Sequence, residues 1–329
     1  MLLQAKKIIN TSMTIFKNEK QMNIFTKVAF LLVLAVYSIS SAQAVRYVLV
    51  EASDTLIGEV IRVKADQSET LLDIARRNGF GYQDMKLVNP DVDIWLPNNY
   101  NENKKYSVIY MHDGGALFGK RTSQGMFGAK WKVDEVATKL LAEKISKEFI
   151  VVGIYNTGMT RWNEYYPEKS FKYLDQNFKD SLETLYERGA SYSKLRADNY
   201  LKFIVEELKP FIDKEFSVLN NVEETYIAGS SMGGLISMYA TFEYPEIFSR
   251  AACISTHWLG SGKNKSGEYD KRFPISIFDY MKDNIPDSTS HRFWFDYGDA
   301  QGDLDSYYVD YAPYVDSIFN KNGYDSKNF

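Results

Sequence analysis

Residues 229–234 read Gly-Ser-Ser-Met-Gly-Gly, and their surroundings constrain the fold more than any other stretch. Thr225-Tyr226-Ile227-Ala228 comes before, short, β-branched and aromatic, as a buried strand would be. Leu235-Ile236-Ser237-Met238-Tyr239-Ala240-Thr241-Phe242 follows, apolar enough for a packed helix. Strand, tight Gly-x-Ser-x-Gly turn and helix together describe a nucleophile elbow. The bare motif arises by chance in roughly one chain in ten of this length, so its strand and helix context carries the inference. The flanking glycines let strand and helix approach closely, where a Cβ would intrude. Ser231 is then exposed at a strand end beside a positive helix N-terminus, and the Met232 amide points where an oxyanion would form.

Composition narrows the class. The chain has 329 residues, 45% hydrophobic and 25% charged, the balance of a globular protein with a sizeable core. Its net charge of −4 gives no electrostatic basis for a nucleic-acid partner. A single cysteine, Cys253, sits in the apolar run Ala251-Ala252-Cys253-Ile254 and is expected in the core, so no disulfide closes within the chain. Paired cysteines, His-x-x-x-His spacing and phosphate-binding glycine loops are all missing, so no metal or cofactor is expected.

Near the start, Lys27 precedes the uncharged run from Val28 to Val36, and Ala42-Gln43-Ala44 follows it. A positive flank, a short apolar core and a small-x-small site predict a secretory signal peptide over residues 1–44, with Met22 as a candidate start. A retained N-terminal anchor is the alternative. The mature chain would begin near Val45 in the periplasm or outside the cell, with no stable membrane span after cleavage.

Residues 58–97 have a character of their own. Glu59-Val60-Ile61-Arg62-Val63-Lys64 alternates like a half-buried strand. Ser68 caps a helix expected to run to Asn78, and a second short helix from Tyr82 to Val88 stops at Asn89-Pro90. Thr70-Leu71-Leu72-Asp73-Ile74-Ala75-Arg76-Arg77 with Asn89-Pro90-Asp91-Val92-Asp93 resembles a LysM module, closest to the one at the front of periplasmic L,D-transpeptidases. The resemblance implies peptidoglycan binding, although Trp95-Leu96-Pro97 runs on where that module would close with a second strand. A plain helical spacer is the alternative.

From Val92 to the end a second resemblance takes over. It rests on Val92-Asp93-Ile94-Trp95-Leu96-Pro97, on Tyr106-Ser107-Val108-Ile109-Tyr110-Met111-His112-Asp113-Gly114, and on Ile150-Val151-Val152-Gly153-Ile154. Arg161, Glu164-Tyr165-Tyr166-Pro167 and the elbow itself complete it. The chain resembles the esterase family that includes esterase D, ferric enterobactin esterases and feruloyl esterases. That resemblance implies an α/β-hydrolase fold over residues 98–329 and hydrolysis of acyl esters of small molecules or saccharides. Periodicity agrees on the class, α/β with a parallel sheet and helices on both faces. Apolar strands at 107–111, 149–155, 225–229, 250–255 and 292–297 alternate with helical stretches near 133–143, 197–213, 233–243 and 307–321. Residues 159–193, polar and aromatic without clean periodicity, are expected as an insertion over the strand ends.

The catalytic parts can be placed in turn. Met232 supplies one oxyanion-hole amide, and Gly114 or Gly115 in the His112-Asp113-Gly114-Gly115 turn is the candidate for the other. Alignment on the family points to Asp305 as the acid, with Asp303 second, and either could instead cap the next helix. His257, Trp258 and Arg161 are expected in the substrate pocket. The base is the difficulty. This fold orders its triad Ser, acid, His, yet the three histidines, His112, His257 and His291, all precede Asp299. The resemblance places that histidine on a loop after one more strand, so the sheet is expected to lack its last strand and the 292–297 strand to be an exposed edge. A serine without a base is a poor nucleophile. The expectation is therefore an exported serine esterase with impaired activity. The alternative is a peptidoglycan-binding protein whose hydrolase part is a vestigial scaffold.

Overall fold

The computed structural model describes residues 47–48, 63–64, 92–118, 131–186, 192, 194–298 and 304–329. The chain divides into two compact units, Met1–Asn89 and Pro90–Phe329. Of the first, the described residues are β1 (Tyr47–Val48) and β2 (Val63–Lys64), an antiparallel pair. The apolar run at 28–36, the small-residue site at 42–44 and the helices expected after Ser68 and Tyr82 lie outside the described residues.

In the second unit the order begins β3 (Val92–Trp95), β4 (Ser107–His112), α1 (Gly114–Leu117), α2 (Val133–Ala142), β5 (Phe149–Ile154), α3 (Arg161–Tyr165) and α4 (Gln176–Leu185). A continuous helical run follows, built of α5 (Ala197–Lys202), a π-helical stretch (Phe203–Leu208) and α6 (Lys209–Glu215). Then come β6 (Thr225–Ser230), α7 (Met232–Glu243), β7 (Arg250–Ile254), α8 (Arg272–Asn284), β8 (Arg292–Phe295), α9 (Asp305–Tyr308) and α10 (Ala312–Lys321). Six strands form one sheet in the order β3-β5-β4-β6-β7-β8. All neighbours are parallel except β3, which runs antiparallel to β5 with Ile94 opposite Val152.

The fold class is thus α/β, dominated by a parallel sheet. The one antiparallel neighbour, β3, lies at the edge of the sheet. Val92–Trp95, which by sequence suits both the LysM-like and the esterase resemblance, is a strand of this sheet. Its four residues are all half-buried, which suits either assignment, and only pairing decides between them.

Alternation along β5 sorts the two faces. Phe149 and Val151 pack with Ala137 of α2, and Ile150, Val152 and Ile154 join the large core on the other side. That larger core takes α7, in which every residue from Met232 to Phe242 is buried. A helix apolar all round belongs in the interior. Its serine and threonine hydroxyls are satisfied within the helix, Ser237 Oγ donating to Gly233 O at 2.7 Å and Thr241 Oγ1 to Ser237 O at 3.2 Å. Helix α8 was missed by periodicity; Pro274 interrupts its sequence pattern but sits in the first turn, where no helical N–H is needed. No described helix is long and apolar enough to cross a membrane.

Candidate active site

Ser231 lies between β6 and α7 with φ 59° and ψ −119°, a conformation that side-chain-bearing residues rarely hold. Its amide donates to Ile254 O at 2.8 Å, and its carbonyl accepts from Leu235 N at 3.2 Å and His257 N at 3.1 Å. Those bonds fix the turn from β7 and α7 together. Among the described residues no group hydrogen-bonds Ser231 Oγ. The glycines act as the motif requires: a Cβ on Gly229 would lie 2.6 Å from Gly233 O, and one on Gly234 2.8 Å from Thr256 Oγ1. Met232 opens α7, so its amide stands at the helix N-terminus.

Gly114 and Gly115 open α1 at the end of β4, after Asp113 in the left-handed region at φ 61°, ψ 42°. This turn is pressed against the elbow, since a Cβ on Gly233 would lie 3.2 Å from Asp113 Oδ2 and 3.5 Å from His112 Cβ. Asp113 is heavily bonded. Arg161 Nε donates to Oδ1 and an Arg161 terminal nitrogen to Oδ2, both at 2.7 Å. Asn156 Nδ2 donates to Oδ1 at 2.7 Å, and the Asp113 amide donates to Tyr165 Oη at 3.2 Å. The same Arg161 nitrogen reaches Ser230 O at 3.4 Å, and the guanidinium lies 4.8 Å from the centre of the Tyr165 ring. Arg161, expected to line the pocket, thus grips the neighbouring turn.

The imidazoles are all engaged or enclosed. His257 lies just past β7, 8% exposed; its Nδ1 meets Tyr308 Oη at 2.8 Å and its Nε2 meets Ser261 O at 3.1 Å. A carbonyl only accepts, so Nε2 carries the proton and Nδ1 accepts from Tyr308. Burial holds the His257 pKa down to about 4. His112 is 1% exposed, with Nδ1 2.8 Å from Tyr200 Oη and Nε2 buried without a hydrogen-bond partner among the described residues. Burial pushes its pKa down to about 3. His291 bonds Pro245 O and Asp287 O and braces the approach to β8.

Asp305 opens α9, one residue past its N-cap position. Asp303 lies outside the described residues. Helix α9 reaches the site through Tyr308, whose hydroxyl holds His257. Trp258, expected in the pocket, is a core ring 4% exposed, with Phe278 and Phe295 at 5.6 and 5.5 Å. A shallow cleft opens at the C-terminal ends of β4, β6 and β7, lined by His112, Asp113, Trp131, Ser230 and Ile254 among others. Ser230 rather than Ser231 lines it, so the cleft is beside the nucleophile turn. Sequence analysis missed Asp113, Asn156, Tyr200 and Tyr308 as parts of the site. Asp113, next to two glycines in a turn, was the one with a local signal.

The model of the family described as Putative esterase matches residues 88–306. The uncharacterized protein YbbA of Bacillus subtilis is 25% identical over 175 residues, which are 53% of this chain and 59% of that protein. An endo-1,4-beta-xylanase/feruloyl esterase of Xylanibacter ruminicola is 26% identical over 168 residues, 50% of this chain and 19% of that one. The chain thus spans less than two thirds of the length of these relatives. A solved ferulic acid esterase is 19% identical, covering 73% of this chain and 83% of its own, with a TM-score of 0.48. With strand, strained serine and helix lying inside the matched span, the chain belongs to the Putative esterase family.

Proposed function

We propose that this chain is an exported serine carboxylic-ester hydrolase that forms an acyl-enzyme on Ser231. The observation that carries the proposal is the Ser231 turn, with φ 59° held by bonds from Ile254, Leu235 and His257 and with Oγ bonded to no described residue. In the proposed reaction Ser231 Oγ attacks the ester carbonyl. The amides of Met232 and of Gly114 or Gly115 take the developing oxyanion, the alcohol leaves, and water releases the acid. Acyl esters of phenolic acids, sugars or siderophores are the proposed substrates, in keeping with the feruloyl esterase named among the relatives. Catalysis by residues 1–329 is slow in this proposal. Both ring nitrogens of His257 are engaged and His112 is enclosed, so neither imidazole stands ready to act as the base. Removing one triad member leaves only the residual rate of the oxyanion hole and binding.

A fluorophosphonate probe tests the nucleophile: slow labelling of the folded chain is expected at Ser231 and none in Ser231→Ala. Ser230→Ala should label like the parent, and the reverse pattern would place the nucleophile one residue early. Export is tested by the mass of secreted material, expected to begin near Val45; a retained 28–36 run would indicate an anchor.

A further inference from the structure

We propose that Arg161 is a positioning residue, locking the turn at 112–115 in the form that presents the Gly114 and Gly115 amides to an oxyanion on Ser231. The proposal rests on Ser231 being the nucleophile. It begins with the backbone of Asp113. A non-glycine residue at φ 61° is disfavoured, and Asp is among the few that tolerate it. Something must hold it there, and Arg161 supplies two of the three side-chain hydrogen bonds that its carboxylate accepts among the described residues. Its planar fork meets both carboxylate oxygens at 2.7 Å, and the pair is largely buried, with side chains 13% and 20% exposed. Charge-assisted bidentate bonds of this kind fix direction as well as distance.

The lock has two ends. At one, Gly114 is pressed on β5 so closely that a Cβ would lie 2.6 Å from Gly153 O, and the turn cannot relax in that direction. At the other, the guanidinium reaches Ser230 O, the carbonyl just before the nucleophile. One cation therefore ties the two loops that would supply the oxyanion amides. Tyr165, four residues along the same chain segment, supports both partners, its ring under the guanidinium and its hydroxyl accepting from the Asp113 amide. Nε and one terminal nitrogen of Arg161 are engaged by Asp113 and Ser230 O, so its effect on catalysis passes through the turn rather than through contact with substrate. Lysine would carry the charge but could not fill both oxygens.

A boronic acid probes this geometry without turnover. Ser231 Oγ adds to the boron of phenylboronic acid, its proton passes to solvent, and the tetrahedral boronate carries the negative charge that the oxyanion amides would hold. Binding is read by tryptophan fluorescence on the full chain, with circular dichroism and thermal melts confirming that each variant is folded. Arg161→Lys should weaken binding tenfold or more, and so should Asp113→Asn. Since Arg161 acts through Asp113, the double variant should bind no worse than the weaker single one; a merely structural weakening of two sites would multiply. Tyr165→Phe, which removes only the hydroxyl, should lose a smaller factor and decides the matter if Arg161→Lys does not fold. Parent-like binding by folded Arg161→Lys, or multiplying losses, would overturn the proposal while the nucleophile stands. Absent binding by the parent chain, or equal binding by Ser231→Ala, would instead remove the nucleophile and the proposal with it.

Discussion

Ser231 can sit at φ 59° because Gly229 has no side chain. A Cβ at Gly229 would meet the carbonyl carbon and oxygen of Gly233 at 2.7 and 2.6 Å, and those are backbone atoms of a fully buried helix that cannot swing aside. Gly229→Ala should therefore destabilise the fold by about 3 kcal/mol or more, at the upper end for an overpacked core. Urea unfolding followed by circular dichroism measures it; a loss below about 1 kcal/mol would mean that β6 and α7 can separate. The neighbouring imidazoles yield a second expectation. His257 is tied at both nitrogens and His112 is sealed behind Tyr165 and Tyr200, so neither stands ready to take a proton from Ser231 Oγ. Residues 1–329 should hydrolyse p-nitrophenyl acetate little above the uncatalysed rate, and His257→Ala should not lower whatever rate remains. Turnover within tenfold of a fully active family member, lost in His257→Ala or His112→Ala, would show that one of these rings moves to the nucleophile.

Among the elements, the strands of the parallel sheet were legible because each is a short apolar run, and α7 because apolar residues surround it. Strand β3 was not, since half-buried residues on an edge carry the same pattern whichever partner they take. The stretch 159–186 was legible only as a break in periodicity. Its short helices are held by contacts distant in sequence: Lys169 pairs with Glu243 of α7, and Tyr280 of α8 donates to the same carboxylate at 2.5 Å. The edge at β8 follows the expectation more closely. Trp294 is 64% exposed, with Tyr297 also turned to solvent nearby in the chain. The edge-facing amide of Phe293 donates to Asn328 O at 2.9 Å, and no further strand pairs with β8 among the described residues. A hydrophobic edge of this kind invites pairing between molecules. Trp294→Lys should reduce concentration-dependent light scattering severalfold and leave the melting temperature within a few degrees, because the ring is mostly in water. Unchanged scattering would locate self-association elsewhere.

At the scale of the whole molecule, buried charge chemistry is what the sequence concealed. The elbow could be read from six residues, whereas Asp113 stands in the turn after β4, Asn156 in the loop after β5, and Arg161 and Tyr165 on α3, and no local spacing joins Asp113 to the others. The same holds for two of the buried imidazoles, His112 met by Tyr200 and His257 by Tyr308, and they make a global property testable. An unfolded histidine titrates near pH 6.5. In the fold, burial holds His257 near 4 and His112 near 3. Between those values and 6.5 the unfolded chain binds protons that the folded chain does not, so stability rises with pH there. The contribution of each neutral imidazole is fully present above about pH 6.5 and is lost as pH falls toward 4, amounting to a few kcal/mol apiece. Urea midpoints should therefore be level from pH 8 to 7 and then fall steadily from 6.5 to 4. His257→Gln keeps a side-chain donor for Ser261 O but cannot take up a proton in this range. It should flatten part of that slope while lowering the midpoint at pH 8 by a pH-independent amount. A midpoint that stays constant from pH 7 to 4.5 would mean that both rings find water and protonate within the folded chain.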